Sequence, residues 1–493
     1  MAPRKKIIFL FRNDLRVLDN AALLAASKEA RGMVIPLYVF DDKQVGMTAR
    51  SRQLCISKAM PLKVKFLLES VTDLRTQLQS LSSNLLVRTG NTSEIVKSLA
   101  KELDCSVVYC STETCSEEIS VDRAIKKSLE LKTVWTSTMV PLQDLPFDAK
   151  TQLPFIYSQY RKIVETNCEI TPICDTPRLL PLSDEIDCGE IPSVVDLCGE
   201  EVEVDERSVL DFHGGSTSGL ARLHDYCFAR DLLRVYKETR NGMVGGDYSS
   251  KLSPWLSNGS VSPKQVYWEV KRYEVERVAN ESTYWLVFEL MWRDYFKLLP
   301  LRVGTGLFRL NGPRNIRKRW ASGEEALAGF HAWCNGTTGY SLIDANMVEL
   351  KRSGFMSNRG RQIVASFLTK DLGVDWRWGA EWFEAHLIDH SAEVNWGNWA
   401  YSAGVGTDPR EDRYFNLRKQ AAVYDPEGHF VRHWLQNRAS ISELIPSILG
   451  LYAPGRVPSK VPSGVGTGSG GNGKNRQFKK KTFPTVFESE KTA

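Results

Sequence analysis

The chain has 493 residues, of which 42% are hydrophobic and 25% are charged, which excludes a wholly disordered chain and a disulfide-stabilised miniprotein. No uncharged apolar run approaches the roughly 18 residues that a bilayer span needs, so we expect no integral membrane protein. The net charge of +5 is uneven, because residues 455–493 hold eight basic and two acidic side chains, whereas residues 184–206 hold ten acidic side chains and no basic one.

The first 135 residues alternate between strand and helix patterns. Short apolar runs rich in Val, Ile and aromatic residues predict strands at 6–11, 34–40, 84–87, 106–110 and 132–135. Helical patterns lie between them, near 20–30, 51–80, 92–103 and 116–130. This alternation predicts a doubly wound parallel sheet, in which ligands bind at the carboxyl ends of the strands. No GxGxxG motif follows the first strand, so the dinucleotide fingerprint is absent there.

We expect an α/β domain at 1–140. The sequence after it divides into three further regions. Residues 141–206 are rich in proline and acidic residues and indicate a connector between domains. Helical periodicity dominates 207–454, and the Gly-rich basic stretch 455–493 is typical of a disordered tail.

Cysteine usage and the start of the chain bear on its compartment. Ten cysteines without a CxxC motif favour reduced thiols in an intracellular protein and predict no metal site. The first apolar run stops at Arg12, which predicts a strand rather than a signal peptide. We expect a soluble protein of the nucleus or cytoplasm, and an organelle stays open.

Aromatic and charged residues concentrate in the helical region. Twelve of the thirteen tryptophans lie between Trp255 and Trp434, which indicates either a large helical core or a domain built around an aromatic ligand, stacked bases or a redox chain. In 281–299, helical spacing places four side chains on one face, namely Glu289, Trp292, Arg293 and Phe296. An ion pair at a domain surface is the alternative for this charged face.

Two further segments carry polar side chains typical of a cofactor pocket. In 247–263, hydroxyls surround Lys251 and form either a phosphate cradle or ordinary helix caps. In 338–412, polar side chains stand among many aromatic rings and predict a pocket for a flat polar cofactor; they are Asn358, Arg361, Asp389 and Asn395.

Several motifs in one order resemble the photolyase/cryptochrome family over residues 5–440. They are FRNDLRVLDN (11–20), WLVFELMWRDYF (285–296), TGYSLIDANM (338–347), GFMSNRGRQ (354–362) and the NWGNW to GVGTDPRED stretch. GFMSNRGRQ, the YSAGVGTDPREDRYFN run and the Gly-rich basic tail resemble the cryptochrome DASH branch in particular.

The resemblance implies an N-terminal antenna-binding α/β domain and a C-terminal helical domain that holds FAD. It implies a deoxyribodipyrimidine photolyase, a carbon–carbon lyase that splits cyclobutane pyrimidine dimers by electron transfer from photoexcited reduced FAD. The expected partner is UV-damaged DNA, preferably single-stranded, with duplex DNA or RNA open, and the expected state is a monomer. The antenna of the branch is 5,10-methenyltetrahydrofolate.

The resemblance also assigns cofactor contacts residue by residue. FAD is expected to contact Tyr236, Ser249, Ser250, Leu252, Ser253, Glu289, Arg293, Asn358, Arg361, Asp389, Ser391 and Asn395. Arg361 and Asp389 are expected to pair near the flavin ring, and Asn395 to face flavin N5. The family commonly has a second Asp at the position of Ser391, where a hydroxyl brings no charge. Glu118 is expected to contact the folate antenna, with Glu117 as a neighbouring candidate.

Substrate and electron-transfer residues follow from the same resemblance. Glu289 is expected to hydrogen-bond the dimer and stabilise its charge, with Trp292 and Tyr401 stacking on flipped pyrimidines. Ordinary photolyases usually have Trp at the position of Tyr401, and the smaller ring favours single strands. An electron chain to the flavin is expected through Trp399, Trp376 and Trp320, for which core packing is the alternative.

Two other functions remain open at this point. A photoreceptor that signals through flavin photochemistry without repair is the main alternative, although Glu289 and Trp292 favour the enzyme. A non-catalytic binder of single-stranded DNA or RNA is the third, based on the basic tail and the aromatic rings. Repair of (6-4) photoproducts is disfavoured, because the paired histidines that it needs are absent around GFMSNRG.

Overall fold

Five strands form one parallel sheet in the N-terminal part of the chain. The structure, a computed structural model, describes residues 5–410 and 413–436. The strands are β1 (Ile7–Phe11), β2 (Val34–Asp41), β3 (Leu86–Gly90), β4 (Val107–Ser111) and β5 (Glu130–Val134). Their order, β3-β2-β1-β4-β5, confirms the predicted doubly wound sheet.

A hydrophobic core lies on each face of this sheet. Successive side chains of a strand point to opposite faces, so one strand contributes to both cores. Ile7, Phe9 and Phe11 of β1 pack in one core, and Ile8 and Leu10 pack in the other. The crossover helices of a doubly wound sheet cover such faces. They are α1 (Ala21–Ala30), α2 (Pro61–Ser80), α3 (Thr92–Glu102) and α4 (Ser116–Ile125).

The predicted helix at 51–80 is wrong over its first ten residues, since α2 begins at Pro61. Proline suits the first helical position because its missing N–H has no helical partner there. Upstream, Cys55 has φ 53°, a left-handed conformation that a helix does not contain, and Arg50 pairs with Ser57 in an antiparallel bridge. The predicted helix at 116–130 ends early as well, because Glu130 already donates its N–H to Ser106 O at 3.0 Å in the sheet.

The predicted connector, 141–206, contains two helices, α5 (Tyr157–Asn167) and α6 (Val194–Cys198). Tyr157 and Tyr160 of α5 are buried in the core of the C-terminal helices, and Leu197 of α6 is buried against the sheet. The segment therefore packs on both parts of the protein. The predicted basic tail at 455–493 lies outside the described residues, and the domain boundaries remain predictions.

Helices make up the rest of the described chain, as the sequence predicts. They surround a core in which Trp333 and Trp376 are fully buried. Among the described residues, no helix has the length and hydrophobicity that crossing a membrane requires. The helices are α7 (Ser216–His224), α8 (Tyr236–Thr239), α9 (Ser253–Ser257), α10 (Pro263–Glu276), α11 (Glu281–Val303), α12 (Gly323–Asn335), α13 (Ser341–Ser353), α14 (Asn358–Ser366), α15 (Trp376–His386), α16 (Ala392–Ala403), α17 (Leu417–Tyr424) and α18 (His429–Leu435).

Buried polar contacts hold the sheet against these helices. Ser262 Oγ donates to Asp19 Oδ2 at 2.5 Å, and Arg16 Nη1 donates to Gly259 O at 2.9 Å. Gly259 has φ 71°, and a Cβ atom there would lie 2.1 Å from Asn13 O. Only glycine allows this approach, so the loop before α10 fits closely against the end of β1.

Candidate active site

Arg361 and Asp389 form a two-point ion pair between α14 and the loop after α15. Nη1 and Nη2 of Arg361 donate to the two carboxylate oxygens of Asp389, at 3.1 and 2.7 Å. Ser357 positions Arg361, because its side chain caps α14 by accepting the N–H of Gly360 at 3.0 Å. Ser253 Oγ donates to Asp389 Oδ2 at 2.6 Å. Three segments distant in sequence thus meet at one carboxylate.

This cluster leaves hydrogen-bonding groups at an open surface. The side chain of Asp389 is 1% exposed, whereas that of Arg361 is 27% exposed. Asn358, at the start of α14, and Ser253 are both exposed. A guanidinium and an amide with free N–H groups and a hydroxyl with free lone pairs are therefore available together, and this set of donors and acceptors fits the polar edge of a flavin nucleotide.

Residues 249–253 form the loop that leads into α9 and ends at Ser253. Ser250 and Leu252 are buried and Ser249 is half-buried. Arg222 shapes the loop, because its Nε donates to Ser250 O at 3.1 Å and its Nη2 to Ser249 O at 3.3 Å. The sequence analysis missed Arg222, and no motif marks it, since its role depends on a main-chain contact 28 residues away.

Two buried ionisable side chains lie in and beside this loop. Lys251 is buried with φ 54°, its Nζ lies 3.2 Å from the ring centroid of Tyr248, and burial lowers its pKa to about 6. Burial raises the pKa of Glu349 to about 8, and the charges of Lys251 and Arg361 oppose that rise. Within the described residues, both Glu349 carboxylate oxygens and the Tyr248 hydroxyl are buried without a hydrogen-bond partner. Buried polar atoms without a partner are uncommon, and a bound molecule or ion that supplies hydrogen bonds would satisfy them.

Glu289 is held by Arg240, which the sequence analysis did not single out. Arg240 Nη1 lies 2.5 Å from Glu289 Oε1, and its guanidinium stands 5.5 Å from the ring centroid of Trp285. Burial raises the pKa of Glu289, and the charge of Arg240 opposes this rise. Tyr236, at the start of α8, is buried, and burial together with Glu289 raises the pKa of its hydroxyl. One turn of helix separates Tyr236 from Arg240, and this spacing is the only sequence signal for the latter.

Trp292 and Tyr401 come together, although they are far apart in sequence. Their ring centroids are 5.7 Å apart and their planes meet at 86°. Trp292 also stacks on Tyr157, with centroids 3.6 Å apart and an angle of 12°, and on Phe296, at 5.7 Å and 25°. The sequence analysis missed Tyr157, because it placed that residue in the connector.

Two arginines stand beside Tyr401. The guanidinium of Arg413 lies 5.6 Å from the Tyr401 ring centroid. Asp408 is buried and lies 3.3 Å from Arg413 Nε and 3.6 Å from Arg410 Nε, and the Arg410 side chain is 67% exposed. The two guanidinium groups thus offer positive charge beside the Tyr401 ring, where a phosphate backbone can bind. The GVGTDPRED motif contains Arg410, but its spacing did not indicate this position.

Arg293 joins the two parts of the protein. Its Nη1 donates to Ser137 O at 2.6 Å, and its Nη2 donates to Leu256 O at 3.1 Å. Burial lowers the pKa of Arg293, and the adjacent carboxylate of Asp294 opposes that shift. The guanidinium therefore fixes the end of α9, which begins at Ser253. Its expected contact with FAD remains a prediction.

Asn395 and Ser391 are both buried near the start of α16. Asn395 Nδ2 donates to Ala380 O at 2.9 Å, which ties its amide to α15. Ser391 Oγ donates to Glu393 Oε2 at 2.9 Å. Both side chains therefore have fixed orientations.

Trp399 and Trp376 are buried, and Trp320 is half-buried. Trp399 packs on α15, because Gly379, one turn after Trp376, leaves room for it; a Cβ atom there would lie 2.2 Å from the Trp399 ring. Further indoles contact both rings. Trp333 lies 6.0 Å from Trp399, and Trp396 lies 5.7 Å from Trp376, between ring centroids.

The two antenna candidates differ in environment. Glu117 is exposed, accepts from Gln44 Nε2 at 2.9 Å and pairs with Lys58. Glu118 Oε2 is buried, with no hydrogen-bond partner among the described residues, and burial together with the charge of Glu113 raises its pKa to about 8. Burial also raises the pKa of Glu113 to about 7. This arrangement favours Glu118, and it adds Glu113, which the sequence analysis missed.

Family comparisons cover most of the chain. The family "FAD binding domain of DNA photolyase" matches residues 285–447, and the family "DNA photolyase" matches residues 7–178. The chain is 48% identical to "Cryptochrome DASH, chloroplastic/mitochondrial" of Arabidopsis thaliana over 437 residues, which cover 87% of this chain and 75% of that protein. It is 46% identical to "Cryptochrome DASH" of Gloeobacter violaceus over 443 residues, with 89% of this chain and 87% of that protein covered.

Solved structures agree with these matches. A cryptochrome of Synechocystis superposes with a TM-score of 0.82 at 44% identity, covering 89% of this chain and 90% of that one. A bacterial class III photolyase of Agrobacterium tumefaciens superposes with a TM-score of 0.74 at 25% identity, covering 88% and 87%. The chain therefore belongs to the photolyase/cryptochrome family, in its cryptochrome DASH branch, and has the FAD-binding domain of that family.

Proposed function

We propose that this protein is a light-dependent photolyase that splits cyclobutane pyrimidine dimers in DNA, mainly in single strands, with FAD as its cofactor. The observation that carries the proposal is the shared surface of α11, where the Glu289 carboxylate, held by Arg240, is one turn of helix from Trp292 and its neighbour Tyr401. A carboxyl group beside two aromatic rings suits a pyrimidine dimer that is flipped out of the strand.

The residues that would hold FAD are those of the Arg361–Asp389 cluster and of the loop before α9. Arg361 and Asn358 offer donors, and Ser253, whose proton is donated to Asp389, offers acceptor lone pairs; Asp389 orients Arg361 and Ser253 by accepting from both. Tyr236 and the loop residues complete the expected set, namely Ser249, Ser250 and Leu252. When bound, FAD supplies light absorption and one-electron transfer, and the protein supplies position and electrostatics.

Glu289 would act on the substrate. One electron added to the dimer allows the two carbon–carbon bonds of the cyclobutane ring to break, and the electron then returns, so that the reaction has no net redox change. Negative charge develops on the pyrimidines meanwhile. Burial raises the pKa of Glu289, while the charge of Arg240 opposes that rise. A proton on the carboxyl group would let it donate a hydrogen bond to the developing charge, and the Arg240 guanidinium supplies positive charge beside it.

Tyr401 supports the preference for single strands, and the neighbouring arginines support DNA binding in general. Flipping a dimer out of a duplex costs a few kcal/mol of unstacking, which a large stacking surface helps to offset. The phenol ring of Tyr401 offers less area than an indole. Arg410 and Arg413 can contact the phosphate backbone of either kind of strand, so they add affinity without selecting the duplex.

The folate antenna is supported by the carboxylates near α4. The methenyl bridge of 5,10-methenyltetrahydrofolate carries a delocalised positive charge, and its pterin ring carries several N–H donors. Glu118, with its unsatisfied Oε2, and Glu113 offer acceptors and negative charge for such a group. Replacing Glu118→Gln should reduce folate bound by the purified protein, whereas Glu117→Gln should not; equal loss in both would contradict the assignment.

A photoreceptor that signals without repair is the second candidate. The burial of Trp399 and Trp376 beside further indoles supports electron transfer to excited flavin, and a photoreceptor needs this step but a pre-reduced repair enzyme does not. Trp320, half-buried, would complete the route to the surface. The same residues thus serve either function, and the substrate surface around Glu289 favours repair.

The expected monomer and the compartment remain predictions. The relatives from Arabidopsis thaliana and Solanum lycopersicum have names that place them in chloroplasts and mitochondria, and the relative from Gloeobacter violaceus is bacterial. Imaging of the tagged full-length protein would therefore decide whether it lies in the nucleus, the cytoplasm or an organelle.

One assay tests the proposed function. Purified protein with reduced FAD is mixed with a UV-damaged single-stranded oligonucleotide, and dimers are counted after blue light and after darkness. Loss in light alone supports a photolyase, and Glu289→Gln should then cut repair while sparing DNA binding and flavin photoreduction. No loss, with FAD bound and reduced, would overturn the proposal in favour of the photoreceptor.

A further inference from the structure

A buried carboxylate stands beside the position where the family commonly has a second Asp. Ser391 occupies that position, and Glu393, in the first turn of α16, is two residues further on. Ser391 Oγ donates to Glu393 Oε2 at 2.9 Å. The negative charge that Ser391 lacks is therefore present in contact with it, supplied from the next turn of chain.

The rest of the Glu393 environment holds it as an anion. Lys297 Nζ lies 3.1 Å from Glu393 Oε2, and the two side chains are each only 5% exposed. Thr114 Oγ1, from the loop after β4, donates to Oε1 at 3.3 Å. Burial favours the neutral acid, but the charge and hydrogen bond of Lys297, together with the hydrogen bonds from the Glu393 main chain and from Ser391, outweigh it, and the pKa of Glu393 is lowered. Glu393 is thus a satisfied buried charge that links Ser391 to Lys297 and Thr114.

This contact decides what Ser391 can offer a ligand. A serine hydroxyl has one proton and two lone pairs, and an ionised carboxylate can only accept. The proton of Ser391 is therefore committed to Glu393, and only its lone pairs are available to another group. Ser391 consequently presents an acceptor polarised by a carboxylate, two residues from Asp389 in the Arg361–Asp389 cluster.

We propose that Glu393 is a positioning residue of the FAD site, which orients Ser391 as a hydrogen-bond acceptor for a ring N–H of the flavin and so replaces the second Asp. The isoalloxazine ring carries such N–H donors, and its binding region is the one that the Arg361–Asp389 cluster defines. The inference rests on the proposed function only for the identity of the FAD contacts. Repair itself is not required for it.

The test moves the carboxylate from position 393 to position 391 in the full-length protein with bound FAD. Glu393→Gln should weaken FAD retention on dilution by about tenfold, since a hydrogen bond to a charged group is lost. Ser391→Asp alone should also weaken retention, because two carboxylates would then share Lys297. The double variant Ser391→Asp with Glu393→Gln should restore retention and the reduction potential of the flavin to near the original values. The release of FAD is measured as the increase in flavin fluorescence.

Two controls keep the outcome unambiguous. Glu384→Gln alters a half-buried carboxylate, which accepts from Trp396 Nε1 at 3.2 Å, and should leave retention and potential unchanged. If the Asp variants fold poorly in circular dichroism, Ser391→Ala and Glu393→Gln are compared singly and together. Their effects on FAD retention should not add, because both remove the same acceptor.

Either of two results would overturn the inference. One is normal FAD retention in Ser391→Asp alone, and the other is full additivity of Ser391→Ala with Glu393→Gln. Because retention and potential are measured without DNA, a protein that shows the reciprocal pattern but no repair would refute only the proposed function.

Discussion

Trp292 lies flat on Tyr157, with ring centroids 3.6 Å apart and planes 12° from parallel. The two rings come from α11 and α5, which are far apart in sequence, and the Tyr157 hydroxyl donates to Phe288 O at 2.9 Å. One face of Trp292 is therefore covered within the protein. A pyrimidine can therefore contact only the other face or the edge of this indole.

Replacing Tyr157→Leu should raise the KM for dimer repair, because Trp292 loses the ring that fixes its plane. A stacked aromatic pair contributes about 0.5–1.5 kcal/mol, so the expected rise is up to about tenfold. Steady-state repair of a single-stranded oligonucleotide measures it. Tyr157→Phe, which keeps the ring and loses the bond to Phe288 O, is the matched control. An unchanged KM in Tyr157→Leu would contradict this account.

Replacing Tyr401→Trp should shift repair towards duplex DNA. Stacking of a base on an aromatic side chain contributes about 1–3 kcal/mol, and a larger ring returns more of the cost of flipping. The ratio of duplex to single-strand repair should rise by about tenfold. Both substrates are assayed in parallel, with Tyr401→Phe as a control of similar area. A ratio that stays constant in the Trp variant would remove ring size from the explanation.

Replacing Trp376→Phe should slow photoreduction of bound FAD by an order of magnitude or more. The indole is readily oxidised and the phenyl ring is not, whereas the core shape is largely kept despite loss of the bond to Leu310 O. Flavin absorbance under blue light with a reductant follows the reaction. Trp378→Phe on the same helix is half-buried and should have little effect. Repair by chemically reduced protein should persist in both variants, and its loss would indicate misfolding instead.

Replacing Glu118→Gln should stabilise the antenna-free protein at alkaline pH. Burial raises the pKa of Glu118 from 4.5 to about 8, so the native state binds more protons than the unfolded state between these values. The free energy of unfolding therefore falls as pH rises through that range. Glutamine mimics the protonated acid and should add up to about 4 kcal/mol at pH 8, with almost no effect at pH 4.

Urea unfolding at the two pH values measures this difference. Glu117→Gln is the control, because Glu117 is exposed and its charge is paired with Lys58. A stabilisation by Glu118→Gln that is equal at both pH values would show that removal of the charge is not its cause.

The sequence by itself determined the fold class and which residues are available for the chemistry. Strand runs of β-branched and aromatic residues predicted the sheet, because this local pattern suffices for a strand buried on both faces. It failed at 51–60, where Cys55 in a left-handed conformation and Pro61 at the helix start decide the boundary. Motif resemblance predicted the pairing of Arg361 with Asp389, and these side chains meet in the structure.

Only the tertiary structure decided which further groups surround those residues. Arg240 on Glu289, Tyr157 on Trp292 and Glu393 on Ser391 each act through a contact that no local pattern encodes. The physical reason is that burial and charge depend on neighbours brought together by packing. For the same reason, the sequence alone marked Ser391 as a lost negative charge, whereas the folded chain supplies that charge through Glu393, which Lys297 holds in an ion pair.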